Sequence, residues 1–283
     1  MLVLGWFIAG RMLRPVHEIT TVARRLSAST LDERIDLQGP PDELKELADT
    51  FDDMLDRLAA SFPAQREFVA NASHELRTPL AIMRTEVDVT LSDPEASAEE
   101  LRRMAETLRK ATVRSEELID SLLVLAGSAE IGRRETVDLR RVAAGAVDLN
   151  RARAAERRLM FDLALTPAPV SGDPTLLDRL ATNLIDNALR YAPDGDTVRV
   201  STSASPDGVT LVVGNGGEPI AADEVPRLFE RFYRRDTSRS RRTGGAGLGL
   251  AIVAAVARAH GGAARAEAPA AGGLVVTVTL PGI

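Results

Sequence analysis

The chain has 283 residues, of which 45% are hydrophobic and 4% aromatic, and a formal net charge of −6 at pH 7. This length favours two or three modules, and the composition suits Ala- and Leu-rich helical bundles better than an all-β protein. The negative charge argues against nucleic-acid binding, and the absence of cysteine excludes disulfides, thiolate metal sites and cysteine nucleophiles.

Residues 1–10 are apolar and are followed by Arg11. Spanning a bilayer takes about 20 apolar residues, and a signal peptide needs a basic leader and a cleavage site, so this segment alone is neither. We interpret it as the cytoplasmic end of a transmembrane helix, with Trp6 near the interface. This predicts attachment to the inner (cytoplasmic) membrane, with the following domains in the cytoplasm. A buried or disordered N-terminus is the alternative.

Residues 11–62 contain two short amphipathic helical patterns joined by a polar connector. The apolar positions are Val16, Ile19, Val22, Ala23 and Leu26 in the first and Leu44, Leu47, Phe51, Met54, Leu55 and Leu58 in the second. This arrangement resembles a HAMP linker, and Pro15 and Glu43 match the usual marks of that family. The resemblance implies that residues 11–62 transmit a signal into the next domain.

Residues 63–128 carry two longer helical patterns, one from about residue 64 to 91 and one that begins at the capping-box pair Ser97 and Glu100. Each has an apolar seam with three- and four-residue spacing. The seams are Val69, Leu76, Leu80, Met83, Val87 and Leu91, and then Leu101, Met104, Leu108, Ala111, Ser115, Leu118, Leu122 and Leu125. One hairpin cannot bury both seams, whereas two form a four-helix bundle, so the sequence predicts a homodimer.

The first of these helices contains the string Phe68–Leu80, with His74 beside Glu75 and one turn before Thr78. An imidazole is a nitrogen nucleophile that can take up and release a phosphoryl group, and the adjacent carboxylate can accept its ring proton. The Thr78 hydroxyl lies on the same face and can position a water, while Pro79 should bend or loosen the helix. An isolated His-Glu pair is more often an exposed pair on an amphipathic helix. The whole string, however, resembles the phosphoacceptor box of bacterial sensor histidine kinases.

Residues 133–283 alternate between β-like and helical runs, which predicts an α+β layer fold with a sheet covered by helices on one face. The predicted strands are residues 159–165, 197–203, 209–213 and 274–280, and the predicted helices are residues 139–155, 175–191 and 247–259. Asp173 and Pro174 supply an N-cap and a first-turn proline for the middle helix.

Two parts of this region suggest a nucleotide site. Asn183 and Asn187 share a helix face, where two amide oxygens suit Mg²⁺ and its waters, although such pairs are often merely solvated. The glycines of residues 244–250 leave backbone N–H groups open to phosphates at a helix start, but form neither a Walker loop nor a Rossmann fingerprint. The arginines of residues 234–242 form either a solvated basic loop or a mobile lid over a triphosphate.

Four short segments match, in order and spacing, a set of nucleotide-binding motifs; they are residues 183–191, 213–220, 228–233 and 244–250. They resemble the asparagine, first glycine, phenylalanine and second glycine boxes of histidine-kinase ATPase domains. With the phosphoacceptor box the resemblance covers residues 62–283. It implies a multidomain chain in which an all-α linker (11–62) and a helical hairpin (63–128), forming a dimeric four-helix bundle, precede an α+β ATPase sandwich of the Bergerat type (133–283). It also implies ATP and Mg²⁺ as cofactors.

The resemblance implies a role for each matched residue. His74 is phosphorylated, Glu75 is its general base, and Thr78 assists removal of phosphate from a partner regulator. Asn187, supported by Asn183, binds Mg²⁺. The remaining nucleotide-binding positions are Arg190, which contacts phosphate, Tyr191, which packs near the nucleotide, Asn215 and Gly217 in the first glycine box, and Gly245, Gly247, Leu248 and Gly249 along the phosphates.

One box departs from the family pattern. In the register that keeps Gly217 and Ile220, Asn215 stands where the family has an aspartate that accepts a hydrogen bond from the adenine amino group, and Pro219 stands where a glycine is usual. An asparagine oxygen can still accept that bond but lacks the charge assistance of a carboxylate. We therefore expect ATP binding to persist but to be weaker or less selective.

The resemblance implies a sensor histidine kinase of a two-component system. ATP would phosphorylate His74, and the phosphoryl group would pass to an aspartate of a separate response regulator, because no receiver-like domain remains in the chain; regulator phosphatase activity fits the same box. Two alternatives are an ATPase of the gyrase, MutL and heat-shock chaperone group without kinase activity, and a degenerate kinase that acts as a scaffold or phosphatase. The loop of residues 92–96 leaves phosphorylation within one chain or across the dimer open.

Overall fold

A computed structural model describes residues 20–21, 34–38, 42–127, 134–235 and 246–283, with only the backbone of residues 60–64. The chain divides into two compact units, Met1–Ser73 and His74–Ile283. The apolar residues 1–10 and most of the first linker helix lie outside the described residues. Within the described part of the chain, no helix is long and apolar enough to cross a membrane.

In the first unit, the connector docks onto the start of the first long helix, α1 (Glu43–Leu91). The backbone N–H groups of Ile35 and Asp36 donate to the carboxylate of Asp52 at 2.8 and 3.0 Å. Leu37 of the connector is buried, as are Ala48 and Leu55 of the helix. The predicted combination of a polar connector and an amphipathic helix therefore forms a small core of its own.

The prediction that the second linker helix and the helix of residues 64–91 are separate was wrong, because α1 is a single helix of 49 residues. The intervening residues, Ala59–Pro63, contain no glycine that would provide a C-terminal cap, and one proline removes only one hydrogen bond. The helix also continues through Pro79, whose ring leaves the carbonyl of Glu75 without its helical donor.

The second helix of the hairpin, α2 (Ala98–Gly127), begins at the predicted capping box. The Ser97 hydroxyl oxygen accepts from the N–H of Glu100 at 3.3 Å, and the Ser97 N–H donates to the Glu100 carboxylate at 2.9 Å. The Ser97 N–H and the Ser97 hydroxyl both donate to the Glu100 carboxylate, and these two bonds lower the pKa of Glu100. Three seam residues of α2, Ala111, Leu118 and Leu125, are buried.

The rest of the second unit contains, in its described residues, seven strands: β1 (Glu135–Asp138), β2 (Met160–Leu165), β3 (Pro169–Gly172), β4 (Thr197–Ser205), β5 (Gly208–Asn215), β6 (Ala263–Glu267) and β7 (Leu274–Leu280). They form a five-stranded mixed sheet with order β2-β4-β5-β7-β6 and a two-stranded sheet of β1 and β3. The helices are α3 (Leu139–Glu156), α4 (Pro174–Tyr191) and α5 (Gly249–Ala259). Among the strands that the structure describes, β2 and β4 run parallel and the other neighbouring pairs are antiparallel.

The three helices form the core with one face of the sheet, which confirms the α+β layer prediction. Burial alternates along β7, where Leu274, Val276, Val278 and Leu280 are buried. The helices contribute Leu139 and Val147 from α3, Leu177, Leu180, Leu184, Ile185 and Leu189 from α4, and Ile252 and Val256 from α5. Removing side chains of this size from water supplies the main favourable contribution to folding.

The N-terminus of α4 is fixed by a contact between distant parts of the chain. Asp173 accepts from the N–H groups of Thr175 and Leu176 at 2.9 and 3.1 Å, which confirms the predicted cap. The N–H of Asp173 itself donates to Nε2 of His260, at the end of α5, at 3.0 Å. His260 is buried, and its Nδ1 lies 2.8 Å from the Val256 carbonyl. This histidine therefore joins α5 to the start of α4.

Candidate functional site

His74 is exposed on α1, and its imidazole makes no hydrogen bond or ion pair with the described residues. Glu75 is half-buried, and Thr78 is exposed one turn away. The Thr78 hydroxyl donates to the His74 carbonyl across a long 3.3 Å. The imidazole is therefore open to attack an electrophile, and the weakly held hydroxyl stands on the same face.

Helix α4 presents the two asparagines differently. The Asn183 amide nitrogen donates to the Arg179 carbonyl at 2.8 Å, which leaves its oxygen to face Gly249 at the start of α5. The Asn187 side chain is half-buried and makes no hydrogen bond with any part of the chain that the structure describes. Asn183 is thus a fixed acceptor, and Asn187 is an uncommitted one.

Arg190 is held on its own helix. Its guanidinium donates to the Asp186 carboxylate at 3.0 Å, and Arg153 of α3 binds the other oxygen of the same carboxylate. The Nε of Arg190 is buried without a hydrogen-bond partner. The predicted phosphate contact of Arg190 would share this guanidinium with Asp186. The four-residue spacing of Asp186 and Arg190 is the sequence signal for this pair.

The first glycine segment follows β5 and meets the end of α4. Asn215 is 5% exposed, and its amide nitrogen donates to the Gly216 carbonyl at 2.6 Å. Gly217 has φ +151°, and a β-carbon there would lie 3.2 Å from the Tyr191 carbonyl. Tyr191 is about half exposed, at 51%. The two predicted boxes therefore adjoin, with an open tyrosine beside the loop.

Three residues that the sequence motifs did not indicate support this loop. Gly272 and Gly273, with φ +89° and +88°, lie against the backbone of residues 215–217, where β-carbons would clash at 2.2 and 2.1 Å. Asp196 accepts from the Gly216 N–H at 3.1 Å. A glycine pair directly before a strand is a detectable turn signal, whereas nothing local distinguishes Asp196.

The second glycine segment turns sharply before α5. Gly247 has φ +71°, and a β-carbon there would lie 2.9 Å from the backbone of Phe232 and Tyr233. The Gly247 carbonyl accepts from the Phe232 N–H at 3.0 Å. Leu248 is buried, and Gly249 begins α5 with backbone N–H groups that have no helical acceptor. Residues 236–245, which include Gly245, Arg239, Arg241 and Arg242, lie outside the described residues.

The phenylalanine segment is connected to the first glycine segment through charged side chains. Arg235 donates to the Pro219 carbonyl at 2.8 Å and pairs with Glu224 at 3.3 Å. The Tyr233 hydroxyl donates to Glu224 at 3.3 Å, and Arg227 lies 4.4 Å from the centre of its ring. Burial and the neighbouring Glu224 raise the pKa of Tyr233.

The groups that this site offers to a ligand are side-chain amide oxygens and backbone N–H groups. Among the described residues, no three His, Asp or Glu side chains converge on a point where a metal ion would fit. Mg²⁺ prefers oxygen ligands, keeps several waters and often binds together with phosphates, so amide oxygens beside a nucleotide fit this ion. The helix start at Gly249 and the turn at Gly247 offer N–H groups for phosphate oxygens.

Three segments of the chain match known protein families. Residues 172–282 match the histidine kinase-, DNA gyrase B- and HSP90-like ATPases, residues 64–129 match the His Kinase A (phospho-acceptor) domain, and residues 7–60 match the HAMP domain. The sheet with its two glycine segments is thus that of an ATP-binding domain, and the hairpin is that of a phosphoacceptor domain.

Curated relatives match nearly the whole chain. It is 49% identical over 279 residues to the sensor protein CutS of Streptomyces coelicolor, covering 98% of this chain and 67% of CutS. It is 33% identical over 270 residues to the sensor histidine kinase CusS of Escherichia coli K12, covering 94% of this chain and 56% of CusS. The chain belongs to the sensor histidine kinases of two-component systems, and it is a protein-histidine kinase whose ATPase domain supports ATP use.

A solved structure agrees on the fold. The Acinetobacter baumannii histidine kinase AdeS superposes with a TM-score of 0.58 at 22% identity, over 74% of this chain and 97% of that one. This superposition confirms the predicted fold class, while the predicted family is confirmed by the family matches and by CutS. The alternative of a related ATPase without kinase activity does not account for the phosphoacceptor match of residues 64–129.

Proposed function

We propose that this chain autophosphorylates on His74 and passes the phosphoryl group to an aspartate of a separate response regulator. The observation that carries the proposal is the exposed imidazole of His74, which makes no hydrogen bond with the described residues, in a chain that also holds an ATP-binding domain. Regulator phosphatase activity, with Thr78 positioning the water, is proposed for the same helix face.

In the proposed step, a ring nitrogen of His74 attacks the γ-phosphorus of ATP in line. The new N–P bond forms as the P–O bond to ADP breaks, and Glu75, one residue away, accepts the ring proton. Positioning and charge neutralisation supply most of the acceleration in such transfers. The resulting N–P bond is labile, which suits onward transfer to a carboxylate.

The nucleotide is proposed to lie across α4, the two glycine segments and the start of α5. Asn187, whose amide is uncommitted, would ligate Mg²⁺, and Asn183, whose oxygen faces Gly249, would support it. Asn215 would accept from the adenine amino group, with Gly217 and Tyr191 beside the ring. Gly245, Gly247, Leu248 and Gly249 would line the phosphates, and Arg190 would contact them.

A homodimer is proposed to form through the hairpin. In the single chain, no seam residue of α1 between 74 and 91 is buried, and Leu80 and Leu91 are 58% and 75% exposed. Leu101 at the start of α2 is 45% exposed. A second hairpin would cover these side chains and complete a four-helix bundle, and dimeric phosphoacceptor domains are usual for the family.

The domain division follows the proposed roles. Residues 1–10 would end a transmembrane helix, 11–62 would form the HAMP-like linker, 63–128 the dimerisation and phosphoacceptor domain, and 133–283 the catalytic domain. The chain spans about two thirds of the length of CutS, at 67%, and 56% of CusS. Attachment to the cytoplasmic membrane is supported by the apolar character of residues 1–10.

Incubation of the full chain with γ-labelled ATP and Mg²⁺ tests the proposal. We expect an acid-labile, base-stable label that disappears in His74→Gln and persists in His17→Gln, a matched control among the three histidines of the chain. ATP turnover without label would instead support an ATPase without kinase activity. The absence of both label and ATP turnover would support the degenerate kinase.

A further inference from the structure

The carboxylate of Asp196 lies against the first glycine segment. Asp196 occupies the turn between α4 and β4, and its Oδ2 accepts from the Gly216 N–H at 3.1 Å. A β-carbon on Gly216 would stand 2.3 Å from that same oxygen, so the carboxylate fills the space that any other residue at 216 would use. Asp196 forms no ion pair with the described residues.

This contact reaches Asn215 through Gly216. The N–H of Gly216 is bound by Asp196, while its carbonyl accepts from the amide nitrogen of Asn215 at 2.6 Å. With its nitrogen engaged, Asn215 has its amide oxygen left as the acceptor. An aspartate has acceptors on both sides, whereas an asparagine has a donor on one side and an acceptor on the other. An asparagine therefore discriminates between ligands only if its amide is held in one orientation.

The turn that carries Asp196 is itself restrained. The guanidinium of Arg157 donates to the Leu189 carbonyl, to the Ala192 carbonyl at 2.7 Å and to the Asp194 carboxylate at 2.8 Å. The carbonyl of Asp196 accepts from the Met160 N–H at 2.9 Å. These bonds fix the backbone on both sides of Asp196, so its carboxylate is presented to Gly216 in a defined position.

We propose that Asp196 is a positioning residue for nucleotide selectivity. By binding Gly216 it holds the Asn215 amide with the oxygen open, so the pocket selects a purine with an amino group at this edge over one with a carbonyl. The carboxylate also places a negative charge beside Asn215, where the family has a charged residue. This inference rests on the proposed nucleotide site.

The test compares ATP and GTP affinities of the full chain by competition against a fluorescent ATP analogue. In Asp196→Ala we expect the ATP-to-GTP affinity ratio to fall about tenfold, the equivalent of one lost hydrogen bond. Asp196→Asn should lose less, because an amide oxygen can still accept from Gly216. Asp162→Ala, an exposed aspartate in β2, is the matched control and should leave the ratio unchanged.

Further variants distinguish loss of the Asp196 contact from misfolding of the Asp196→Ala chain. Gly216→Ala keeps the carboxylate but displaces it, and should lower the ratio as Asp196→Ala does. In an Asn215→Asp background, Asp196→Ala should no longer lower the ratio, because a carboxylate at 215 needs no orientation. Asn215→Asp should also raise ATP affinity more in the Asp196→Ala chain than in the parent, where two carboxylates would adjoin.

Two results would overturn the inference alone: an equal loss of ATP and GTP affinity in Asp196→Ala, which indicates a structural role, or an unchanged ratio in a chain that binds ATP. A parent chain that binds neither nucleotide would overturn the proposed nucleotide site and this inference together.

Discussion

A β-carbon on Gly249 would stand 3.2 Å from Oδ1 of Asn183, so the first residue of α5 lies directly against the first asparagine of α4. The Asn183 nitrogen is bound to the Arg179 carbonyl, which prevents the amide from turning away. The contact joins the start of α5, where phosphates are proposed to bind, to the helix proposed to hold Mg²⁺. Glycine at 249 allows this approach.

Gly249→Ala should weaken binding of Mg²⁺-ATP, because the added methyl group must displace the Asn183 oxygen by a few tenths of an ångström. We expect about a five- to tenfold loss of affinity, the scale of one distorted hydrogen bond or ligand contact. Gly145→Ala is the control, since nothing lies within 4 Å of that position in α3. It should keep ATP affinity and stabilise the fold by about 0.5–1 kcal/mol. Titration calorimetry and thermal unfolding measure both effects, and equal affinities in the two variants would contradict the assignment.

The elements with strong local signals were predictable from the sequence. The strand predicted at residues 274–280 is the observed β7, and α4 starts at the predicted Asp173 cap. The short strands β1, β3 and β6 were missed, because segments such as Pro169–Gly172 and Ala263–Glu267 have low β-propensity and form strands only by pairing with neighbours. Tertiary pairing, not local preference, determines them.

The site was predictable where its residues carry motif spacing. Asn183 lies against Gly249, and Gly217 lies against the Tyr191 carbonyl, while the roles of these residues in nucleotide binding stay predictions. Asp196 was not predictable, because its partner Gly216 is 20 positions away and the contact depends on the register of β4 and β5. The Asp186 partner of Arg190 was readable from its helical spacing, but its second partner, Arg153, comes from another helix.

Asn187 should govern the Mg²⁺ dependence of ATP binding. Asn187→Ala removes the uncommitted amide oxygen, and we expect the Mg²⁺ concentration for half-maximal binding to rise about tenfold or more. Asn187→Asp retains an oxygen ligand and should keep much of the dependence. Asp178→Ala, exposed on the same helix, serves as the control. If Asn187→Ala lowers ATP affinity equally with and without Mg²⁺, the metal role is excluded.

Thr78→Ala should reduce dephosphorylation of the regulator without reducing autophosphorylation of His74. The Thr78 hydroxyl is held only by a 3.3 Å bond to the His74 carbonyl, so its removal should leave the helix and His74 intact. We expect autophosphorylation within about twofold of the parent and loss of regulator dephosphorylation by about tenfold or more, as for a lost water-positioning group. Ser73→Ala removes a similar hydroxyl, bound to the Val69 carbonyl at 2.8 Å, and should change neither rate. Parallel loss of both activities in Thr78→Ala would contradict the separation.

Leu80→Glu should dissociate the proposed dimer. Leu80 is 58% exposed in the single chain, and a partner hairpin would bury it beside other apolar side chains. An unpaired carboxylate buried there costs several kcal/mol, so we expect the dimer dissociation constant to rise at least about a hundredfold. Thr85→Glu places the same charge at an exposed position outside the seam and should leave the dimer intact. Sedimentation measures the distribution, and an undisturbed dimer in Leu80→Glu would place the interface elsewhere.

Asp138 should give the catalytic domain an acid-sensitive component of stability. Although burial opposes its ionisation, the N–H groups of Ala168 and Arg140, each at 3.0 Å, hold the pKa of Asp138 below its usual range. A carboxyl with a lowered pKa in the folded state stabilises the fold above its unfolded pKa of about 3.9, and this contribution is lost as the pH falls through the folded pKa.

Asp138→Ala should therefore destabilise the domain by about 1–2 kcal/mol at pH 7, the usual cost of a lost N-cap, and by less at pH 3. Asp138→Asn keeps a capping oxygen and should lose less stability at pH 7. Its free energy of unfolding, like that of Asp138→Ala, should depend less on pH than that of the parent. Asp207→Asn, an exposed aspartate in the turn between β4 and β5, should follow the parent curve. Urea unfolding at pH 3, 5 and 7 measures the difference. A loss in Asp138→Ala that is as large at pH 3 as at pH 7 would show that the side chain stabilises the domain by packing rather than by its charge.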